Sequence, residues 1–572
     1  MTRRATVRLV LAAALVCVPL GAGAQFLRPL GDERLDALAA RYFTAERQDD
    51  PVTATLAGEH DEDDELGTYT PDAYAERLAT AKRFLADLRA IDPATMGADA
   101  SYDAQILQSR LETATLMLGT LQTWRHQPGT YATLAATAVE SLLARDVALP
   151  AARVRSVVAR ERRIPAMLDA APANLTTVDA ADAELARDDV GDAIAYFAND
   201  VPLAAARIKD GSLRAQLAAS NRDVVAALRR YLAALESGAL AHPSGTFALG
   251  AERFADLVRL HELAPLPLAL CERAAAAALA AAKAQFLAAA AALDPRRSPR
   301  ALLAETAQPL PPDATVREVA SDIAALRAYV AAHRVATLPP GDDVTVRVAP
   351  PYVRVRGVAT LEEPGPLESP PAAATYEVAP QNVTSDAALA LAVARDVVPG
   401  AHLLAALGRR AHLSPIRQLL PNSSFAGGWT RFAERTIVDE GWEAGEPRIR
   451  LVHLHSELLG ACRLLAALRE HARGLSVDEA TAFFEHEAFL DAEAARREAL
   501  RAAANPLDGA DELGELELLT LRDDYRRVAG NRYDAQTFDD LLLAHGAPPV
   551  AIARKILLGA DDDGTLLRDP ER

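Results

Sequence analysis

Apolar residues return every three or four positions from Glu33 to about Leu293, as in Leu35, Leu38, Ala39 and Phe43, and again in Leu78, Ala81, Phe84, Leu85 and Leu88. That spacing keeps one face of a helix apolar and predicts an array of packed helices. The alanine-rich composition of this stretch favours the same state. Thr70-Pro71-Asp72 reads as an N-cap followed by proline at the first helical position, and Asp50-Pro51 ends the helix before it. Prolines and arginines accumulate between Asp294 and Pro312, helical spacing returns from Val316 to Ala336, and Pro339-Pro340-Gly341 stops it. The period then changes to two. Val344, Val346 and Val348 alternate with polar residues, Tyr352 to Arg356 follows Pro350-Pro351, and Tyr376-Glu377-Val378 reads as an edge strand. A small sheet or hairpin is therefore expected within 343–380, with Pro364 to Pro371 as loop. Helices resume near Ser385 and continue to Leu558, and Asp561 to Gly564 reads as a frayed tail. The fold class is mainly α, divided into an N-terminal helical region at 25–293, a connecting segment with one helix at 294–342, and a core region at 343–572.

Residues 1–24 break the pattern and read as a secretory signal peptide. Arg3, Arg4 and Arg8 form its basic start, Leu9 to Leu20 its apolar run, and Ala22-Gly23-Ala24 its cleavage site. The mature chain is expected to begin at Gln25 in a secreted or periplasmic location, with general and twin-arginine export both left open by Thr2-Arg3-Arg4. Cys17 lacks the small residues that precede a lipidated cysteine. The longest other apolar tract, Ala264 to Leu293, is broken by Glu272, Arg273 and Lys283, so no transmembrane span is expected after signal removal.

Of the 572 residues 50% are apolar, 24% charged and 5% aromatic, which excludes a disordered chain. Lys+Arg number 61 against 79 Asp+Glu, a net charge of −18 that argues against a nucleic-acid or anionic-lipid surface. Only Cys271 and Cys462 remain after the signal, and a disulfide and two buried thiols are both compatible with their apolar surroundings.

The chain carries no phosphate-binding glycine loop, no G-x-S-x-G and no C-x-x-C. H-E-x-x-H is absent too; His261-Glu262-Leu263-Ala264-Pro265 comes nearest, but proline at the second ligand position makes it an ordinary helix end. His453 and His455 are two apart in a helical segment and diverge, so they do not share one ion.

Val393 to Leu403 reads Val-Ala-Arg-Asp-Val-Val-Pro-Gly-Ala-His-Leu, followed by Pro421-Asn422-Ser423-Ser424-Phe425-Ala426-Gly427-Gly428-Trp429 and Phe432-Ala433-Glu434-Arg435. These segments resemble the bacterial family called domain of unknown function 885, regarded as secreted, zincin-like metallopeptidases with the patterns HExxPGHH and NSxFxEGWAxYAE. The resemblance extends through Asp50 to Gly58, Ala90 to Pro93, Gly514-Glu515-Leu516 and His545 to Pro549. It implies a large multi-helix, gluzincin-related body and, in the family, a zinc cofactor.

The residues that would carry that chemistry are replaced. The first His falls on Arg395, the Glu on Asp396, the later His pair on Ala401 and His402, and the Glu of EGWA on Gly427, while Pro399, Gly400 and Trp429 match. Arginine offers no lone pair and brings a cation where Zn²⁺ would sit. Asp396 is one methylene shorter than Glu, and Gly427 has no side chain. A literal Glu440-Gly441-Trp442 downstream is a weaker match for EGW. The family's tyrosine and lysine fall on Asp511 and Glu512, and an aspartate falls on Ala467 while His471 and Gly474 remain.

No metal ligand set and no cofactor are therefore expected here. Asp396 and His402 are remnant catalytic positions within a vestigial cleft formed by Arg395, Asp396, Pro399, Gly400, His402, Trp429, Phe432, Glu434 and His471. The expected function is that of a secreted, catalytically inactive homologue, a pseudoenzyme that binds a peptide or a cell-envelope component. The alternative is an active hydrolase or peptidase with rearranged metal ligands, or a metal-free acid–base site using Asp396, His402 and Glu434.

Overall fold

Leu35, Leu38 and Ala39 are buried on one face of the Leu30–Asp49 helix, and Ala81, Phe84, Leu85 and Leu88 on one face of Pro71–Arg89. The two stripes meet in one apolar cluster that Ile416 and Ile552 join from far along the chain. In this computed structural model the described residues are 29–571 apart from 145–149, 305–310, 351, 354, 356, 370, 384 and 563, so the signal region 1–24 lies outside them. Thr70 Oγ1 accepts from the Ala73 amide at 3.3 Å with Pro71 at the first helical position, as its sequence predicts. Asp50 both follows the first helix and caps Pro51–Ala57, accepting from the Thr53 amide at 3.1 Å.

The sheet has three strands, β1 Thr345–Val348, β2 Ala359–Glu362 and β3 Thr375–Val378, in the order β1-β3-β2. β3 is thus central, not an edge: it runs parallel to β1 and antiparallel to β2, with Tyr376 and Val378 fully buried. The second strand also lies later than expected. Val353 donates its amide to the Pro350 carbonyl at 2.9 Å, so the chain turns at Tyr352 and Val353 and extends only at Ala359.

Helices follow from Asp386–Asp396 to Val550–Leu558. The tail is not frayed: Leu566 and Leu567 are buried in the main core and Arg554 pairs with Asp562 at 2.9 Å. That core joins Phe254, Cys271 and Phe286 to Trp429, Phe432, Cys462, Phe484 and Phe538. Both cysteines are free and buried, and burial pushes the Cys271 thiol up to about 12.

Within this core the Ser423–Asp439 and Ala510–Ala529 helices cross at very short range. A Cβ on Gly514 would strike the Ser424 carbonyl, and one on Gly428 the Gly514 backbone. The crossing sets the spacing of Gly427, Arg431 and Arg435 against Asp511, Glu512 and Glu515 in the site below.

Three segments are long and apolar enough to cross a membrane by length and composition: Leu268–Leu293, Asp386–Arg410 and Pro447–Arg473. The last two have 72% of their apolar window enclosed by the protein, whereas Leu268–Leu293 has 22%.

Candidate functional site

Ser385 caps the Asp386–Asp396 helix by accepting from the Ala388 amide at 3.0 Å, and the helix carries Arg395 and Asp396 on its last turn. The chain then turns through Pro399 and Gly400 into Ala401–Arg410. Glycine is required at 400, because a Cβ there would meet the Arg395 carbonyl. Fully buried Trp429 holds this turn, donating its indole N–H to the Pro399 and Gly400 carbonyls at 3.1 and 3.2 Å. Phe432 packs beside it, ring centres 5.7 Å apart. Of the residues expected to form a cleft, Pro399, Gly400, Trp429 and Phe432 are thus buried and packed together.

Arg395 reaches across to Glu434. Its Nε and Nη2 lie 2.8 and 2.7 Å from Glu434 Oε2, and Nη2 donates to Ser456 Oγ at 3.3 Å. The other Glu434 oxygen is 2.7 Å from His453 Nδ1. Burial alone would raise the Glu434 carboxyl, but the Arg395 charge and the His453 contact outweigh it and pull it down to about 2. Asp396 turns away and accepts the Tyr376 hydroxyl at 2.8 Å. Burial raises its carboxyl against the lowering effect of that hydrogen bond and of Arg395.

The space a glutamate would need at 427 is filled. A Cβ on Gly427 would overlap the carboxylate of Asp511. One turn further on, buried Arg431 donates to Glu515 at 2.9 Å, Glu512 at 2.6 Å and Glu457 at 3.3 Å. Arg435 pairs with Glu515 and Glu457. Burial pushes Glu512 up to about 7, against the opposing charge of Arg431. Direct pairing of these carboxylates with the two arginines is how charges this deep are tolerated.

His402 goes elsewhere. It is buried, with Nδ1 against Glu363 and Nε2 at 3.0 Å from Asp342, and Arg409 closes the group at 2.7 Å from Glu363. Its imidazole is raised to about 9: burial opposes the charge, and the two carboxylates override it. His402, Asp396 and Glu434 thus have separate partners.

His471 is 18 residues beyond His453 on the Pro447–Arg473 helix, about 27 Å along its axis. It packs between Phe247 and Phe254 and contacts the Ala502 carbonyl at 2.9 Å. The structure does not bring it to the Arg395 group. His455 contacts the Ala488 carbonyl, diverging from His453 as its spacing predicts. Glu440 is exposed at the far end of the Gly427 helix.

Zinc does not fit these residues. A guanidinium occupies the first ligand position, Asp511 excludes a side chain at 427, and the only imidazole of the motif is held by Asp342 and Glu363. Among the described residues no three His, Cys, Asp or Glu side chains are grouped to hold a metal ion.

Arg431, Glu457 and Glu515 escaped sequence reasoning as a group. Their signal was present as Arg431 and Arg435 one turn apart, and Glu512 and Glu515 likewise, inside otherwise apolar helix faces.

The family model for bacterial proteins of unknown function, DUF885, matches residues 51–557. The chain belongs to this family. A candidate lipoprotein of unknown function from Shewanella oneidensis has the same fold, with a TM-score of 0.74 at 20% identity over 92% of this chain and 99% of its own. A candidate lipoprotein from Colwellia psychrerythraea gives 0.77 at 16% identity over 92% and 98%. No curated protein matches the chain. At these identities the likeness is one of fold alone, and the chemistry rests on the residues above.

Proposed function

We propose that this DUF885 protein is an extracytoplasmic, zincin-like homologue that has lost zinc-dependent peptidase chemistry and works by binding a peptide or a cell-envelope component. The observation that carries the reading is the Arg395–Glu434–His453 ion-pair group standing at the motif position, with Asp511 filling the space at Gly427. A cation fixed between helices takes the place of the metal's charge and keeps the turn at Pro399-Gly400 in register. Arg395 remains 35% exposed and Asp511 is exposed, so both signs of charge reach the surface. The apolar run at the chain start and the candidate-lipoprotein relatives support an extracytoplasmic location.

The test is to incubate the chain from Gln25 with zinc, desalt it, and measure bound metal by mass spectrometry beside His402→Ala. The reading expects no retained zinc in either, and recovery of a specific partner from envelope extract that Arg395→Ala weakens. Near-stoichiometric zinc lost in His402→Ala would overturn it and restore a peptidase with rearranged ligands.

A further inference from the structure

Two helix ends meet beside a pocket of about 350 Å³ that is separate from the Arg395 group. The Ala251–Glu262 helix ends on His261 and Glu262, with Leu263 in the left-handed region at φ 53°. The Ser423–Asp439 helix begins there with Asn422 as its cap. Asn422 joins the two: its side-chain amide donates to the His261 carbonyl at 2.7 Å, and its oxygen accepts from the Phe425 amide at 2.8 Å.

The side chains at this junction are in relay. Ser423 Oγ is 2.8 Å from His261 Nε2, and His261 Nδ1 is 2.7 Å from Glu262 Oε1. Glu262 is fully buried and also accepts from Ser424 Oγ at 2.6 Å. A buried carboxylate on Nδ1 holds the tautomer in which Nε2 is free to take the serine proton. Ser423 and His261 both line the pocket, so the nucleophilic oxygen is accessible.

The helix ends add a matching field. A helix C-terminus favours the imidazolium that forms at His261, and a helix N-terminus favours negative charge developing near Ser423. The Phe425 amide is used by Asn422 and the Asn422 amide by the Ala547 carbonyl, which leaves the amide of exposed Ser423, on the first turn, as the oxyanion donor at the pocket. Glu517 lies near Glu262, and burial together with the Glu262 charge pushes it well above the usual carboxylate range.

We propose that Ser423, His261 and Glu262 form a metal-free acyl-transfer site that hydrolyses uncharged carboxylic esters. Ser423 Oγ bonds to the acyl carbon while its proton passes to His261 Nε2. The bond to the alcohol oxygen then breaks as that proton moves to the leaving oxygen. Water repeats the sequence on the acyl-serine, releasing the carboxylic acid and restoring Ser423.

The pocket selects the substrate class. Phe43, Ile106, Leu419 and Leu420 supply apolar wall, while both its arginines are already paired, Arg110 with Glu46 at 2.8 Å and Arg47 with Glu59, and Asp50 is engaged as a helix cap with Thr53. A short apolar acyl group fits; an anionic one finds no free arginine. The site uses none of the atoms of the Arg395 group and goes beyond the binding function proposed above.

The experiment treats the full exported chain with a fluorophosphonate and follows p-nitrophenyl butyrate hydrolysis with and without EDTA. One label per chain on Ser423 is expected, with chelator-insensitive turnover that falls about 10³-fold or more in Ser423→Ala and His261→Asn. Glu262→Gln, acting through His261, moves the acid limb of the kcat/KM profile to lower pH. Absence of covalent label on the native chain, label on another residue, or hydrolysis unchanged in Ser423→Ala overturns the proposal. The labelling result stands even if a variant fails to fold. Zinc retention and partner recovery are read separately, so either idea fails alone.

Discussion

The Asp511 carboxylate occupies the position where a Cβ on Gly427 would stand. Side chain and vacancy belong together: as Asp511 is placed on one helix, only glycine fits at 427 on the other without moving it. Gly427→Glu should therefore overpack this crossing and lower stability by about 1–3 kcal/mol. Asp511→Ala in the same chain should recover most of the loss, since it removes the clashing carboxylate. Denaturant midpoints of the two single variants and the double give the coupling directly. Additive effects would mean the two positions do not compete for space.

The Arg395–Glu434 pair makes stability depend on acid. The Glu434 carboxyl is depressed to about 2 in the fold and sits near 4.5 when unfolded, so its contribution is fully present above pH 4.5 and is lost as pH falls toward 2. Arg395→Ala leaves Glu434, which is 2% exposed, with only His453. Losing a partner of a buried charge costs about 3–5 kcal/mol, and the exposure of Arg395 reduces that to about 2 kcal/mol. Arg395→Ala should also flatten the dependence of unfolding free energy on pH between 4.5 and 2. An unchanged acid limb would show that Arg395 does not hold Glu434 ionised.

Periodicity made the helices legible. Leu35, Leu38 and Ala39, or Phe84, Leu85 and Leu88, report a buried face through local spacing alone. The sheet was legible in existence but not in order, because β3 becomes central through pairings with segments on both sides of it in sequence. Replacement of the motif residues at Arg395 and Gly427 could be read directly. What fills the space could not: Asp511 and Gly427 are brought together by the Gly428–Gly514 crossing, which no local pattern encodes. His261 likewise reads as a helix end, and only the fold sets Ser423 beside it.

At alkaline pH the decisive group is His402. Asp342 and Glu363 raise it to about 9 against the cost of burial, compared with 6.5 when unfolded. Its stabilising contribution is full below pH 6.5 and disappears as pH rises through 9. The shift corresponds to roughly 3 kcal/mol. Chemical denaturation at pH 6, 7.5 and 9.5 should show this decline in the native chain and its loss in His402→Gln. A native chain equally stable at all three values would contradict the carboxylate clamp.

Glu470 predicts a gain. It is fully buried, neither carboxylate oxygen has a hydrogen-bond partner among the described residues, and burial with the Asp508 charge raises it to about 8. The unfolded chain ionises this group from about pH 4.5, so the folded state, which retains the proton, loses relative stability as pH rises from 4.5 to 8. Glu470→Gln keeps the shape and removes the titration. It should stabilise the protein by about 1–3 kcal/mol at pH 7.5 and leave stability unchanged at pH 4. Urea unfolding at the two pH values checks both halves. A loss of stability at pH 7.5 would mean that the ionised carboxylate has a partner in solution.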